Sequence, residues 1–334
     1  MIFSNRPIKN TFLFLIFASL TLTLSYFTYF KNYTKPINPF WDENFHICLA
    51  QKYIDGVMFM EPHPPLGKML IAFGEIIFKS NQSVEKSAFL ETDHLSEFPE
   101  NLSFRGYRFF PVLAGWLSAL LIFLIILHFC RNYLLSFLMS SLYIFDNALI
   151  VHFRGAVLDG IQIFFILLAI CYYLYFIVGK DHTKIVHVTI LAMITGLAIS
   201  IKLTSCILIL LFPMILLYRI QSIRDGKVDI FKSLKFWSKA IRLSFIYFVV
   251  ILFVFITPYY IHCRLGTKIV GNRYYQASSI YKKILDENNT KSISAFPIML
   301  KDNLHYIKSY QKSVPSLKYY DESENGNGER IRIC

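Results

Sequence analysis

Charged residues are scarce in this chain, and their scarcity indicates its structural class. Asp, Glu, Lys and Arg make up 17% of the 334 residues, whereas 55% are hydrophobic. Water-soluble domains carry about 25% charged residues. The apolar residues also cluster in runs that approach or exceed the roughly 20 residues needed to cross a bilayer. The composition therefore excludes an ordinary water-soluble domain and predicts an all-α polytopic membrane protein.

Residues that bind metals or form disulfides are also few. The chain has 22 acidic residues and 6 cysteines, and no two cysteines form a CxxC pair. This pattern gives no support to a zinc site or a thioredoxin-like motif. Carboxylates are sparse and no histidine pair has ligand spacing, so we expect no dedicated metal site. The sequence does not decide whether Cys48 and Cys263 form a disulfide, which requires both to lie on the oxidising side of the membrane.

The excess of positive charge does not indicate nucleic acid. There are 34 basic residues against 22 acidic ones, for a formal net charge of +12. The sequence lacks a recognisable DNA-binding motif and an aromatic-interleaved RNA motif. Most basic residues near the apolar runs lie where membrane proteins carry topogenic charge. We therefore interpret the charge as a topology signal.

The apolar runs predict about seven membrane spans, at residues 11–30, 109–129, 133–150, 157–178, 186–200, 203–218 and 243–262. Basic residues precede the first run as in a signal peptide, but no small-residue cleavage site closes it, so a retained anchor is the better interpretation. The stretch 186–218 has a polar middle. Here we expect a tight hairpin with Lys202 near its turn.

Charge sets the orientation of these spans. The linkers 180–184 and 219–242 are basic and belong on the cytoplasmic side. The chain must cross the membrane twice between these two linkers, which supports the hairpin. With this orientation, the N-terminus is cytoplasmic. The luminal side then receives segments 31–106, 151–156 and 263–334, with four glycosylation sequons at Asn32, Asn81, Asn101 and Asn288.

The luminal segment 31–106 carries two runs with apolar residues at helical spacing, Glu43–Ile54 and Leu66–Phe78. They predict two short amphipathic helices lying along the membrane surface. A glycine ends the first, and a Pro-Pro pair begins the second. Near the other end of the chain, residues 321–330 are rich in Glu, Gly and Asn and are predicted to be disordered.

Two motifs in this segment could carry chemistry. Asp42-Glu43 is a carboxylate pair at the exit of the first span, where Asp42 could act as general base toward a hydroxyl. His63-Pro64-Pro65-Leu66-Gly67-Lys68 fixes a helix start and could place His63 and Lys68 toward a ligand at headgroup level. The plainer interpretations are a solvated acidic pair and a rigid helix start with Lys68 reaching to the surface.

Three cations are predicted near the same luminal surface: Arg108, Arg154 and Lys202. Each is also explained singly, as an anchor at a helix end or in a turn. Asp159 lies at the edge of an apolar run and needs a partner. Grouped cations suit a phosphate, because guanidinium forks bind phosphate oxygens bidentately and lysine adds point charge. Together with a carboxylate base, they predict transfer from a lipid-phosphate donor to a hydroxyl.

These motifs, in this order, resemble the dolichyl-phosphate-mannose:protein O-mannosyltransferase family over about residues 36 to 290. Glu61 stands where that family usually has Asp. The matching positions are Asp42-Glu43, His63–Lys68, Arg108 with Phe110, Pro111 and Gly115, Asp146-Asn147-Ala148 with Arg154 and Asp159, and Ser200 with Lys202.

The resemblance implies a GT-C type transmembrane bundle over residues 1–262 and a luminal tail over 263–334. It implies an enzyme of the endoplasmic reticulum membrane that moves mannose, with inversion, from dolichyl phosphate mannose to Ser or Thr hydroxyls of secretory proteins. Asp42 would be the base, and Glu43 would help to position the acceptor. Arg108, and Arg154 or Lys202, would steady the phosphate. His63, Lys68 and Asp159 complete the predicted substrate-binding set.

The resemblance also implies luminal MIR repeats and further spans, which the sequence to Cys334 does not contain. A fragment, a truncated gene model and a degenerate paralogue are all consistent with this. Two other functions therefore stay open beside the enzyme. One is a non-catalytic subunit that pairs with a full-length homologue, since the family works as homo- or heterodimers. The other is a related lipid-phosphate-sugar transferase with a different acceptor.

Overall fold

The computed structural model describes residues 10–95, 97–178, 184–216, 234–270 and 277–313, and the regular structure there is helical apart from one β-bridge. The helices in chain order are α1 (Thr11–Ser25, continued by a π-helical turn Tyr26–Phe30), α2 (Glu43–Asp55), α3 (Leu66–Phe78), α4 (Ser87–Glu91), α5 (Arg105–Cys130), α6 (Tyr133–Ile144), α7 (Asn147–Arg154), α8 (Asp159–Tyr172, continued by a π-helical turn Tyr173–Val178), α9 (Ile185–Ile199), a 3₁₀ helix (Leu203–Leu210), α10 (Leu234–Leu265), α11 (Ser279–Asp286) and α12 (Phe296–Ser313).

The all-α prediction is confirmed, with four or five candidate membrane spans among the described residues. Two shorter apolar helices, Ile185–Ile199 and Leu203–Leu216, correspond to the predicted hairpin spans. Residues 217 and 218, the predicted end of the second of these, lie outside the described residues. Four helical segments are long and apolar enough to cross a membrane, and the bent pair α6–α7 is the fifth candidate: Thr11–Phe30, Arg105–Cys130, Asp159–Val178, Trp237–Leu265, and Tyr133–Ile144 with Asn147–Arg154.

The span predicted over 133–150 is bent in the structure. The helix breaks after Ile144, and α7 leaves α6 at an angle of 67°. Asp146 explains the break, because its carboxylate accepts a hydrogen bond from the backbone N–H of Leu149 at 3.0 Å and caps the start of α7. A capping carboxylate favours a new helix start over continuation of the old one.

The break predicted at Lys202 is present. Helix α9 ends at Ile199, and Lys202 adopts an extended backbone (φ −144°, ψ 136°) before the 3₁₀ helix begins. The apolar core around α9 is formed with the end of α8 and its π-helical turn, the 3₁₀ helix and α10. Helices α9 and α10 approach closely at Gly196, where an added Cβ would lie 2.8 Å from Cβ of Val254.

Helices α2 and α3 form a second core with α5 and the start of α8. Their bounds match the two predicted luminal helices. The surface-lying interpretation is wrong for α2, because every residue from His46 to Tyr53 is buried inside the protein. Helix α3 is amphipathic as predicted and leaves Phe73, Ile76 and Ile77 about half exposed.

The chain after the last candidate span folds back onto the segment before His63. Met58 donates its backbone N–H to the carbonyl of Lys268 at 2.8 Å, and helices α11 and α12 bury Tyr281 and Met299 in one cluster with Met58. The predicted tail is therefore helical in part. Residues 321–330, predicted to be disordered, lie outside the described residues.

The structure bears on two points that the sequence left open. The thiol of Cys263 is free and packs in the cluster with Met58, while Cys48 packs in the core around α2, so the disulfide left open does not form. The sequon at Asn81 is not available in the folded chain. Its side chain is buried, donates to the carbonyl of Ser103 at 2.8 Å and accepts from the N–H of Ser103 at 2.7 Å.

Helix α3 can pack against α5 because of a glycine. A Cβ added at Gly74 would lie 2.2 Å from the carbonyl oxygen of Gly106. We expect Gly74→Ala to destabilise the protein by about 1–3 kcal/mol through overpacking, although alanine is the better helix former. Thermal unfolding in detergent measures this. Ile77→Ala, at a half-exposed position of the same helix, should change stability little. A Gly74→Ala variant as stable as wild type would contradict the packing argument.

Candidate active site

The two adjacent carboxylates at the start of α2 have opposite environments. Asp42 is exposed at the N-cap position of α2, and its side chain makes no capping hydrogen bond to the backbone of that helix. Glu43 is fully buried. Its carboxylate accepts hydrogen bonds from the backbone N–H groups of Phe40 at 3.2 Å and Ala156 at 2.6 Å. Asp42 therefore faces outward and is available to a reactant, whereas Glu43 is committed to the protein.

Arg108 is the main partner of Glu43. Its Nε–H and Nη2–H groups donate to the two carboxylate oxygens, each at 2.7 Å, in a bidentate pair. Its Nη1 donates to the carbonyl of Pro36 at 2.6 Å, and Nη2 also donates to that of Asn38 at 3.2 Å. The guanidinium is buried and lies 4.1 Å from the ring centroid of Phe104. Arg108 thus ties α5 to the loop before α2.

Arg154 caps the end of the first candidate span. Its Nη1 donates to the carbonyls of Thr28 at 2.9 Å, Tyr29 at 3.2 Å and Lys31 at 3.2 Å, and its Nη2 donates to that of Asn32 at 2.9 Å. The last carbonyls of a helix have no partner within the helix, so a cation there satisfies them. Both predicted arginines therefore direct their donors to protein groups.

Asp159 has the partner that its position required. Its Oδ1 accepts a hydrogen bond from Nζ of Lys202 at 2.5 Å, and its Oδ2 lies 3.2 Å from Nδ1 of His152. The side chains of Lys202 and Asp159 are 23% and 30% exposed, so this ion pair is open to a ligand. The ring of His152 contacts Trp41, the neighbour of Asp42, with centroids 5.3 Å apart.

The His-Pro-Pro motif and the Lys202 break meet in space. The backbone N–H of Leu66 donates to the carbonyl of Ser200 at 3.1 Å. A Cβ at Gly67 would lie 2.7 Å from Cδ2 of Leu158, just before Asp159, so glycine allows this approach. The motif therefore brings the start of α3 beside the start of α8.

Lys68 is buried, and the prediction that it faces a ligand is not supported by its contacts. It forms a buried ion pair with Glu61 and lies 4.4 Å from the ring centroid of Phe45. Burial lowers the pKa of Lys68 and raises the pKa of Glu61. His63 is half-buried, and burial together with the nearby Lys68 and Lys202 lowers its pKa to about 4. The His63 imidazole is therefore uncharged at neutral pH and lies within electrostatic range of Lys202 and Asp159.

Three residues near this cluster were not among the predicted site residues. His46 is buried, and its Nδ1 has no hydrogen-bond partner among the described residues. Burial, and then the charge of Lys68, lowers its pKa. Glu61 was noticed only as a departure from the family pattern. His152 had no signal beyond its seven-residue separation from Asp159. No group of three or more His, Cys, Asp or Glu in the described ranges could hold a metal.

The family described as dolichyl-phosphate-mannose-protein mannosyltransferase matches residues 19–266 of the chain. Protein O-mannosyl-transferase 1 of Rattus norvegicus is 31% identical over 164 residues, which are 48% of this chain and 21% of that protein. Dolichyl-phosphate-mannose--protein mannosyltransferase 1 of Candida albicans is 29% identical over 189 residues, 56% of this chain and 20% of that protein. The matches thus span about a fifth of the length of these relatives.

A solved structure shares the fold. In the S. cerevisiae protein O-mannosyltransferase Pmt1-Pmt2 complex bound to the sugar donor, one chain superimposes with a TM-score of 0.66 at 20% sequence identity. The alignment covers 80% of this chain and 36% of that chain. At this identity the likeness shows the arrangement of helices and leaves the roles of individual side chains to be argued from their contacts.

The buried ion pair between Glu43 and Arg108 should be critical for folding. Removing one partner leaves the other charge buried and uncompensated, which costs about 3–5 kcal/mol. We expect Glu43→Gln and Arg108→Gln each to lower the folded yield and the thermal midpoint in detergent, with the double variant losing less than the sum. Arg105→Gln, an exposed position at the start of the same helix, is the control. Additive losses would mean that the two residues do not act as a pair.

Stability should fall as the pH falls from about 6.5 to about 4. An unfolded histidine has a pKa near ~6.5, whereas that of folded His63 is about 4. Between these values the unfolded chain binds more protons, so acid favours unfolding. Across this range, the thermal midpoint of His63→Asn should depend less steeply on pH than that of wild type. Part of the pH dependence should remain, because the pKa of His46 is also lowered. His305→Asn, at an exposed position, should keep the full slope. An unchanged slope in His63→Asn would contradict the burial argument.

Proposed function

The chain belongs to the dolichyl-phosphate-mannose-protein mannosyltransferase family, and on this basis we propose that it transfers mannose from dolichyl phosphate mannose to Ser or Thr hydroxyls of secretory proteins. The observation that carries the proposal is the exposed Asp42 carboxylate, whose neighbour Trp41 contacts His152, which in turn contacts the partly exposed Lys202–Asp159 pair. The proposed location is the endoplasmic reticulum membrane, with Asp42 on the luminal face.

In the proposed reaction the acceptor oxygen attacks the anomeric carbon from the side opposite the phosphate. The new C1–O bond forms as the bond from C1 to the phosphate oxygen breaks, and the electron pair leaves with dolichyl phosphate. Asp42 takes the hydroxyl proton as general base. One protein base is sufficient, because a phosphate whose charge is neutralised is a good leaving group. Attack from the opposite side inverts the anomeric configuration.

The contacts support a revised division of roles among the predicted residues. Glu43 and Arg108 hold the loop that presents Asp42, and Arg154 fixes the end of α1 beside it. Lys202 is assigned to the donor phosphate as a partly exposed cation whose ammonium group is oriented by Asp159. His63 is neutral at physiological pH and lies within electrostatic range of Lys202 and Asp159. Lys68 stabilises the start of α3 through its buried ion pair with Glu61.

Transfer of labelled mannose tests the proposal. Microsomes containing the chain are given dolichyl phosphate mannose and a Ser/Thr peptide, and the product is identified as O-mannosyl peptide. We expect transfer by wild type and a loss of at least about 100-fold in Asp42→Asn, the scale of general-base catalysis. Asp286→Asn, at an exposed position on α11, should retain the wild-type rate. A wild type that transfers no mannose while folded and partnered would refute the enzyme assignment, and full activity in Asp42→Asn would refute the base.

A non-catalytic subunit is the second candidate. The fold that this chain shares with one chain of a two-protein complex favours it. Co-expression with a full-length homologue separates the two. A pair that needs this chain but is indifferent to Asp42→Asn would identify a subunit, whereas a pair that loses activity would identify an enzyme. A sugar product on an acceptor other than a Ser/Thr peptide would identify a related lipid-phosphate-sugar transferase.

A further inference from the structure

The residue before Asp42 has an unusual backbone conformation. Trp41 has a positive φ of 52°, in the left-handed region that bulky L-residues rarely adopt. A residue held in this region persists only where its surroundings impose the conformation. The indole is 67% exposed, so burial in the core does not impose it. Some specific contact must therefore stabilise Trp41.

One short segment contacts the residues on both sides of Asp42. A Cβ at Gly155 would lie 3.0 Å from Cζ of Phe40, so the Phe40 ring packs on the Gly155 backbone. The backbone N–H of Ala156 donates to Glu43 at 2.6 Å. The remaining neighbour of Asp42 is held by His152, through the ring contact with Trp41. The end of α7 and the residues just after it thus form the support for the Asp42 loop.

The side chain of His152 is itself held by a carboxylate. Its Nδ1 lies 3.2 Å from Oδ2 of Asp159, whose other oxygen accepts a hydrogen bond from Lys202. The imidazole is therefore oriented by a carboxylate on α8, and its ring lies against the indole at an interplanar angle of 34°. A continuous set of contacts leads from the Lys202–Asp159 pair through His152 and Trp41 to the backbone of Asp42.

We propose that His152 is a positioning residue for the transfer reaction: its ring, oriented by Asp159, holds Trp41 in the left-handed conformation and thereby aims the Asp42 carboxylate at the acceptor. The proposal rests on the proposed function of Asp42. His152 touches neither reactant. Loss of its ring should reduce the productive orientation of Asp42, because small displacements of a catalytic group are costly to the rate. Binding of donor and acceptor should be unaffected.

Three substitutions separate the ring contact from the hydrogen bond. His152→Ala removes both, His152→Gln keeps a polar group, and His152→Phe keeps an aromatic ring against Trp41. In the mannose-transfer assay we expect kcat to fall about threefold to tenfold in His152→Ala and His152→Gln, the scale of an aromatic pair. His152→Phe should stay within about twofold of wild type. KM for both substrates should be unchanged throughout, and His305→Ala, an exposed histidine on α12, should match wild type.

The outcomes that overturn the proposal are distinct from those that overturn the proposed function. Wild-type kcat in His152→Ala, equal losses in His152→Phe and His152→Ala, or a change confined to KM would each refute positioning through the ring. A second readout is the fluorescence anisotropy of Trp41 in a Trp116→Phe, Trp237→Phe background. It should fall in His152→Ala and persist in His152→Phe. If wild type transfers nothing while folded and partnered, the proposed function fails, and the anisotropy alone decides whether His152 restrains Trp41.

Discussion

The buried pair of Glu43 and Arg108 is the interaction on which the arrangement of this site depends. The two charges cannot be left unpaired in a protein interior, so wherever one lies the other must follow. Glu43 begins α2, Arg108 lies in the first turn of α5, and Ala156 adds its N–H from the loop before α8. Three separate elements are therefore fixed to one carboxylate. Because Glu43 turns inward at the start of its helix, the preceding Asp42 remains outside.

The second constraint is the bilayer, which leaves helix ends as the places where polar backbone groups need partners. Arg154 satisfies the carbonyls at the end of the first candidate span, and Asp146 caps the new helix after the break in the chain. Lys202 lies at another interruption, between α9 and the 3₁₀ helix. Polar residues thus collect at the ends and breaks of apolar helices. The candidate site lies among them for the same physical reason.

This pattern explains what could be predicted from the sequence. The bounds of α2 and α3 followed from local signals, since Gly56 ends one helix and the Pro64-Pro65 pair begins the other. The charge argument likewise found the break at Lys202. Side-chain partners could not be predicted in this way. Arg108 lies 65 residues from Glu43, and no local spacing indicates that it pairs with a carboxylate rather than a phosphate.

The side-chain partners also decide which of the predicted cations has hydrogen-bond donors left for a phosphate. Grouping Arg108, Arg154 and Lys202 by charge made all three equivalent, but hydrogen-bond donors are consumed by the groups they already contact. Arg108 and Arg154 direct theirs to a carboxylate and to backbone carbonyls. Lys202 spends one donor of three on Asp159 and is partly exposed. A compact ammonium on a flexible stem can approach a phosphate without releasing that carboxylate. Under the proposed function, we therefore expect binding of the donor phosphate to depend on Lys202 more than on the two arginines, whose hydrogen bonds are directed to protein groups.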